Sequence, residues 1–178
     1  IIEAVVEDIK IKKELFSRLI EVINNKCIYA TNASSFIPSK ICTENKYLNR
    51  IIGLHFFYPV QFKNIAEIIK TDKTNDDVLI MAETFLKKIN KFYLIQDENN
   101  PFVLNRIFLP LQLEAFNILN EFNLSPAQVD LIIVNIFPIG VFKTIDSVGI
   151  DVICPSIKEY SSFMIIIVLM NIYRIWNQ

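Results

Sequence analysis

The chain has 178 residues, 52% of them hydrophobic and 21% charged, which is enough apolar material to bury a sizeable core and too much for a disordered chain. A formal net charge of -1, with no run of like charges, leaves no basic footprint, so no DNA or RNA partner is expected. Three widely spaced cysteines, Cys27, Cys42 and Cys154, imply neither a disulfide framework nor a zinc site and read as intracellular thiols.

Residues 1–6 are a short β-rich apolar run, read as a strand buried on both faces. No initiator Met, basic leader or small-residue cleavage site precedes it, so the chain is expected to begin inside a longer fold and a cytoplasmic location is expected. Ile9, Leu15, Phe16, Leu19, Ile20 and Ile23 then recur at helical spacing, and Asn24-Asn25 stops that helix. Residues 27–31 make a second small strand. The polar turn Asn32-Ala33-Ser34-Ser35 sits at its C-terminal end, where an open parallel sheet binds ligands.

A short helix is expected after Pro38, a residue suited to a first helical turn, and residues 50–57 and 65–70 read as strands. Residues 72–77 supply the turn and caps for a helix reaching about Lys88, with Val78, Met81, Ala82, Phe85 and Leu86 on its apolar face. Residues 92–95 are the last strand. This order predicts an α/β, doubly wound sheet with antiparallel additions near His55 and Glu67. The polar stretch 97–101 marks a boundary, which gives domains 1–97 and 98–178, and beyond it the pattern is all-α.

In the second domain residues 102–122 predict one long amphipathic helix, kinked at Pro110. Ser125-Pro126-Ala127-Gln128 predicts an N-cap with Pro at the first helical position, and Pro138-Ile139-Gly140 breaks the helix that follows. The apolar run 163–170 is interrupted by Asn171 and Arg174 well before the ~20 residues that a spanning helix needs. A buried or subunit-facing helix is expected there, and no membrane partner.

The chain's one histidine, His55, lies twelve residues before Glu67. A neutral imidazole with a neighbouring carboxylate is the makings of a general base, since the anion fixes the tautomer and stabilises the imidazolium. The competing reading is a packed, hydrogen-bonded core histidine.

Five separated motifs point further. The segments Glu3-Ala4-Val5-Val6-Glu7-Asp8, Asn32-Ala33-Ser34-Ser35, Gly53-Leu54-His55-Phe56-Phe57-Tyr58-Pro59, Asn105-Arg106, and Pro138-Ile139-Gly140 with Phe142 and Asp146 resemble the 3-hydroxyacyl-CoA dehydrogenase family, in its order and nearly without gaps over about residues 1–152. The resemblance implies the C-terminal part of a Rossmann-like NAD-binding domain followed by a helical dimerisation domain. It also implies NAD-dependent oxidation of a (3S)-3-hydroxyacyl-CoA to the 3-ketoacyl-CoA, or the reverse, in fatty acid β-oxidation or butanoate metabolism.

By that similarity His55 is the base that takes the C3 hydroxyl proton and Glu67 holds and charge-stabilises it. Ser34 and Asn105 bind the reacting oxygen or the thioester, and Glu7, Lys12 and Ser34 lie at the nicotinamide end of NAD. Taken alone, Glu7 and Lys12 read as solvated surface charges and Ser34 as a turn former. The implied partners are an acyl-CoA substrate and a second copy, paired through the helical domain.

The chain departs from the family pattern in three places. No G-x-G-x-x-G turn exists among its three glycines, Gly53, Gly140 and Gly149, so the Gly-rich unit that cradles the pyrophosphate is lacking and NAD affinity is expected to be weak. Tyr58 stands where the family has Asn. Asn100-Pro101 replaces a Pro-Gly, with Val141 where a Pro is usual, which is expected to alter the interdomain hinge. Against an enzyme stand a non-catalytic remnant or pairing module of the family and a related NAD-dependent oxidoreductase of similar plan.

Overall fold

Short runs rich in Ile, Val, Leu and Tyr, each punctuated by polar turns, assemble into one five-stranded sheet. In the computed structural model, which describes residues 1–150 other than Asn25 and Thr43, together with Ile153, the strands are β1 (Ile2–Glu3), β2 (Tyr29–Thr31), β3 (Ile51–Phe56), β4 (Ile65–Lys70) and β5 (Phe92–Asp97). Their spatial order is β1-β2-β3-β4-β5. The pairs β1/β2, β2/β3 and β4/β5 are parallel, and β3/β4 is antiparallel. The antiparallel element expected near His55 and Glu67 is therefore this one hairpin.

The two faces of the sheet are covered by different helices. Ile52 and Leu54 of β3 with Ala66 and Ile68 of β4 pack under Val78, Ala82 and Leu86 of α3 (Asp76–Lys88). On the opposite face Tyr29 and Ile51 meet Phe16 of α1 (Ile9–Leu19) and Ile41 of α2 (Pro38–Ile41). Asp8 caps α1, its Oδ1 accepting from the Lys10 and Ile11 amides at 2.8 and 3.2 Å. The helix stops four residues earlier than its apolar spacing predicts: residues 20–23 wind into turns, with the Val22 and Ile23 amides both donating to the Leu19 carbonyl, at 3.0 and 2.9 Å.

The first strand is also shorter than expected. Ile1, Ile2, Val5 and Val6 are exposed and only Glu3 is buried, so the reading of residues 1–6 as a strand covered on both faces is corrected. β1 pairs with β2 alone among the described strands.

The chain divides into two compact units, Ile1–Phe102 and a second that starts at Val103. Within the second, α4 (Val103–Glu121) carries Pro110 inside it, α5 is Pro126–Ile133 and α6 is Val141–Val148. Pro110 removes one backbone donor from α4. Ser125 and Gln128 form the reciprocal capping box at the start of α5. Ala115, Val129, Phe142 and Ile145 join the three helices in one apolar core. The 163–170 run lies outside the described residues.

A carboxylate of α5 caps α6. Asp130 Oδ1 and Oδ2 each accept at 2.9 Å, from the Phe142 and Lys143 amides, and a Cβ added at Gly140 would overlap that carboxylate. Gly140 is thus required for space rather than for an unusual backbone angle, its φ being -67°. Gly140→Ala is expected to displace the cap and lower stability by about 1–2 kcal/mol, read from the urea midpoint. An unchanged midpoint would contradict this packing account.

Candidate active site

Strand register brings the histidine and the carboxylate together. Gly53 pairs with Ile69, Leu54 with Ile68 and His55 with Glu67 across the β3/β4 ladder. Directly opposed residues point to one face, so both side chains share the α1 face, opposite α3. Gly53 makes the adjoining pair possible: a Cβ there would stand 2.9 Å from the Ile69 Cβ.

His55 Nδ1 lies 2.8 Å from Glu67 Oε2, with His55 3% and Glu67 0% exposed. An ionised carboxylate accepts only, so Nδ1 carries the proton and Nε2 holds the free lone pair. That is the tautomer a general base needs. The imidazole is framed by Phe57, with ring centroids 4.6 Å apart, and by Phe102, edge-on at 5.5 Å. Glu67 is held from its other side, where the Gln96 side-chain amide donates to Oε1 at 2.7 Å.

A second polar network lies beside the first. Lys12 Nζ reaches Glu3 Oε1 at 2.8 Å, the Val5 carbonyl at 3.2 Å and Glu7 Oε2 at 3.3 Å. Glu3 Oε2 accepts from the Thr31 hydroxyl at 2.7 Å. Lys12 is 1% exposed, which corrects its reading as a surface charge. An ammonium enclosed in this way is tolerable because acceptors surround it. The same Glu3 carboxylate acts on Tyr29: burial first, and that charge second, push its phenol well above the usual tyrosine range.

Glu7 completes the network by building the Ser34 turn. Its Oε1 accepts from the Ser34 amide, the Ser35 amide and the Ser35 hydroxyl, each at 2.8 Å. Asn32 ties this turn to the base strand, its Oδ1 accepting from the Phe56 amide at 2.9 Å. Glu7, Ser34 and His55 therefore gather at the C-terminal ends of the parallel strands β1, β2 and β3, the end where such sheets take ligands.

Asn105 is the third residue of α4 and half-buried in the helical unit. Tyr58, beyond the end of β3, is 61% exposed. At the expected hinge the positive φ falls on Phe102, at 55°, a residue for which the left-handed region is strained by about 1–2 kcal/mol. Full burial of its ring against His55 offsets that cost.

Three residues of the site carry no assigned role in the sequence. Glu3 was read as part of an apolar strand, Gln96 as a residue just past the last strand, and Phe102 as the start of a helix. The register shows what two of them, Glu3 and Gln96, share with the site. Glu3 pairs with Thr31, Thr31 with Gly53, Gly53 with Ile69 and Ile69 with Gln96, one row across five strands just below His55.

Comparison with known proteins gives this geometry its context. The family model described as "3-hydroxyacyl-CoA dehydrogenase, NAD binding domain" matches residues 1–98, and the one described as "3-hydroxyacyl-CoA dehydrogenase, C-terminal domain" matches residues 102–164. The mitochondrial hydroxyacyl-coenzyme A dehydrogenase of Sus scrofa is 31% identical over 153 residues, 85% of this chain and 49% of its own length. The 3-hydroxybutyryl-CoA dehydrogenase of Clostridioides difficile is 34% identical over 155 residues, 86% of this chain and 55% of its own.

Among solved structures, the (S)-3-hydroxybutyryl-CoA dehydrogenase of Ralstonia eutropha superposes with a TM-score of 0.80 at 29% identity, covering 91% of this chain and 58% of its own. The chain spans about half the length of the curated relatives it matches. Both domain types occur here in the family's order, a Rossmann NAD-binding sheet and then a helical C-terminal domain, and NAD is the cofactor that the first is built for. The chain belongs to the 3-hydroxyacyl-CoA dehydrogenase family.

Proposed function

We propose that this chain carries the base and substrate-facing half of an NAD-dependent 3-hydroxyacyl-CoA dehydrogenase, which oxidises a (3S)-3-hydroxyacyl-CoA to the 3-ketoacyl-CoA or runs the reverse reduction. The observation that carries it is the buried 2.8 Å contact between His55 Nδ1 and Glu67 Oε2. His55 Nε2 takes the C3 hydroxyl proton, and charge building on that oxygen helps hydride to leave C3. Glu67 stabilises the imidazolium that forms, as the carboxylate does in hydrolytic triads. Ser34 and Asn105 supply neutral donors to the reacting oxygen or the thioester and fix the near-attack geometry.

NAD, when bound, supplies the nicotinamide ring that accepts the hydride. The residues assigned to that end fit it in part. Glu7 and Ser34 stand at the ligand-binding ends of β1 and β2, whereas Lys12 is enclosed by Glu3, Glu7 and Val5. Lys12 therefore serves the cofactor through Glu7, by holding its carboxylate, and not by touching NAD. The sequence holds no Gly-rich pyrophosphate cradle.

The test follows from that division. Preceded by a Gly-rich strand-helix unit from a related dehydrogenase, the chain is expected to reduce NAD with 3-hydroxybutyryl-CoA, followed by NADH absorbance. The 178 residues alone are expected to show no saturable NAD binding at about millimolar cofactor, since the cradle supplies the pyrophosphate contacts. A folded, loop-bearing chain without turnover would contradict the proposal and favour a non-catalytic pairing module.

Pairing of two copies through the helical unit belongs to the same reading. Ile107, Leu131, Ile132 and Ile136, each at least 60% exposed there, are the apolar side chains such a contact would cover. Sedimentation equilibrium is expected to give a dimer, and Leu131→Glu with Ile132→Glu a monomer. A wild-type monomer would refute it.

A further inference from the structure

The base pair of the site has a third member. Glu67 has two carboxylate oxygens: Oε2 faces His55 Nδ1 at 2.8 Å and Oε1 accepts from the Gln96 amide at 2.7 Å. Gln96 is 6% exposed, although β5 is the edge of the described sheet and its neighbours Ile95 and Asp97 are exposed. An edge-strand glutamine ordinarily turns to water. Here it is turned inward, two residues along from Leu94, the register partner of Glu67, so its amide crosses diagonally to the carboxylate.

A buried carboxylate has a choice of orientations. With both oxygens free it could swing about its terminal torsion, one of the broad ones, and offer His55 either oxygen or none. A donor fixed on Oε1 removes that freedom and leaves Oε2 aimed at Nδ1. Through it the imidazole is held in the tautomer whose Nε2 is free, and a charge-assisted bond to the carboxylate also offsets the cost of burying the anion.

We infer that Gln96 is a positioning residue of the proton relay: its side-chain amide clamps Glu67 and thereby sets the tautomer and orientation of His55. The inference rests on the dehydrogenase reading for its consequence in turnover, but its geometry is measured on the chain without substrate or cofactor. A failed activity assay and a failed clamp are thus separate results.

The single histidine makes the measurement site-specific. In the chain labelled with nitrogen-15 at histidine, the ring nitrogens are expected to report Nδ1 protonated and Nε2 unprotonated at neutral pH. Gln96→Met, near in shape but without a donor, is expected to move at least about a fifth of the population to the other tautomer and to raise Nδ1-H exchange with water about 10-fold. Gln96→Lys, which restores a donor at that position, is expected to recover most of the wild-type signature. A Met variant with the wild-type ring signals would overturn the inference.

A second measurement needs no variant. The Gln96 side-chain amide protons of the wild type are expected to exchange slowly with water and to split into two well-separated signals, since one of them is held by the buried Glu67 carboxylate. Amide protons that exchange as fast as those of a solvent-exposed glutamine would overturn the clamp, whether or not the Met variant folds.

Discussion

Replacing His55 by Gln in a loop-bearing, active form of the protein is expected to lower turnover at least ~100-fold with little change in KM, since general-base catalysis supplies about two to four orders of magnitude. Gln is the informative choice. Its amide keeps a donor for Glu67 Oε2, so the buried carboxylate is not stranded, yet it cannot take a proton. His55→Ala removes the base and the donor together and is expected to lose both turnover and stability. Retained turnover in the Gln variant, measured as NADH formation, would remove His55 from the reaction.

The largest effect on stability is expected at Glu3. Glu3→Ala strands the Lys12 ammonium, 1% exposed, and takes the acceptor from the Thr31 hydroxyl. Removing one partner of a buried ion pair costs roughly 3–5 kcal/mol, and the low end, about 3 kcal/mol, applies here because Lys12 keeps Glu7 and the Val5 carbonyl. The double change Glu3→Leu with Lys12→Met is expected to recover most of that loss, because neither charge is then left alone in the core. Urea unfolding of the three proteins decides it. A single variant as stable as wild type would show that the lysine finds water in the native state.

That network also has a role in the site. Lys12 holds Glu7, and Glu7 holds the Ser34 turn through two amides and a hydroxyl. Loss of Glu3 leaves Glu7 as the one carboxylate within reach of the ammonium among the described residues. The Ser34 turn should then loosen, and KM for the acyl-CoA should rise along with the fall in stability.

His55 and Glu67 were legible because His55 is the one histidine of the sequence, Glu67 follows it by twelve residues, and the segment Gly53-Leu54-His55-Phe56-Phe57-Tyr58-Pro59 carries the family resemblance. Their pairing was expected as chemistry, an imidazole with a carboxylate neighbour, but the register that makes it was not. A spacing of twelve residues becomes contact only once β3 and β4 are antiparallel and Gly53 opposes Ile69, and register is a property of two strands, not of either alone. The same reasoning covers Gln96. It stands in an edge strand whose burial pattern is mostly exposed, and nothing local tells an inward glutamine from an outward one.

Lys12 illustrates a different loss of information. It sits in a helix with lysines on either side of it, at positions 10 and 13, and composition reads all three alike. What separates it is the 2.8 Å contact to Glu3, nine residues earlier on another element. The length of β1 was hidden for a similar reason: an apolar run shows what wants cover, not whether a neighbouring strand supplies it. Helix starts were the most readable features, since Asp8 and the Ser125-Gln128 box act within three residues of themselves.

The most direct measurement is a crystal structure of the loop-bearing protein with NAD and a 3-ketoacyl-CoA. The account predicts His55 Nε2 at about 2.6–3.2 Å from the C3 oxygen, with Nδ1 still on Glu67. A C3 oxygen held by other groups, with Nε2 turned away from it or bonded to a protein carbonyl, would contradict the account.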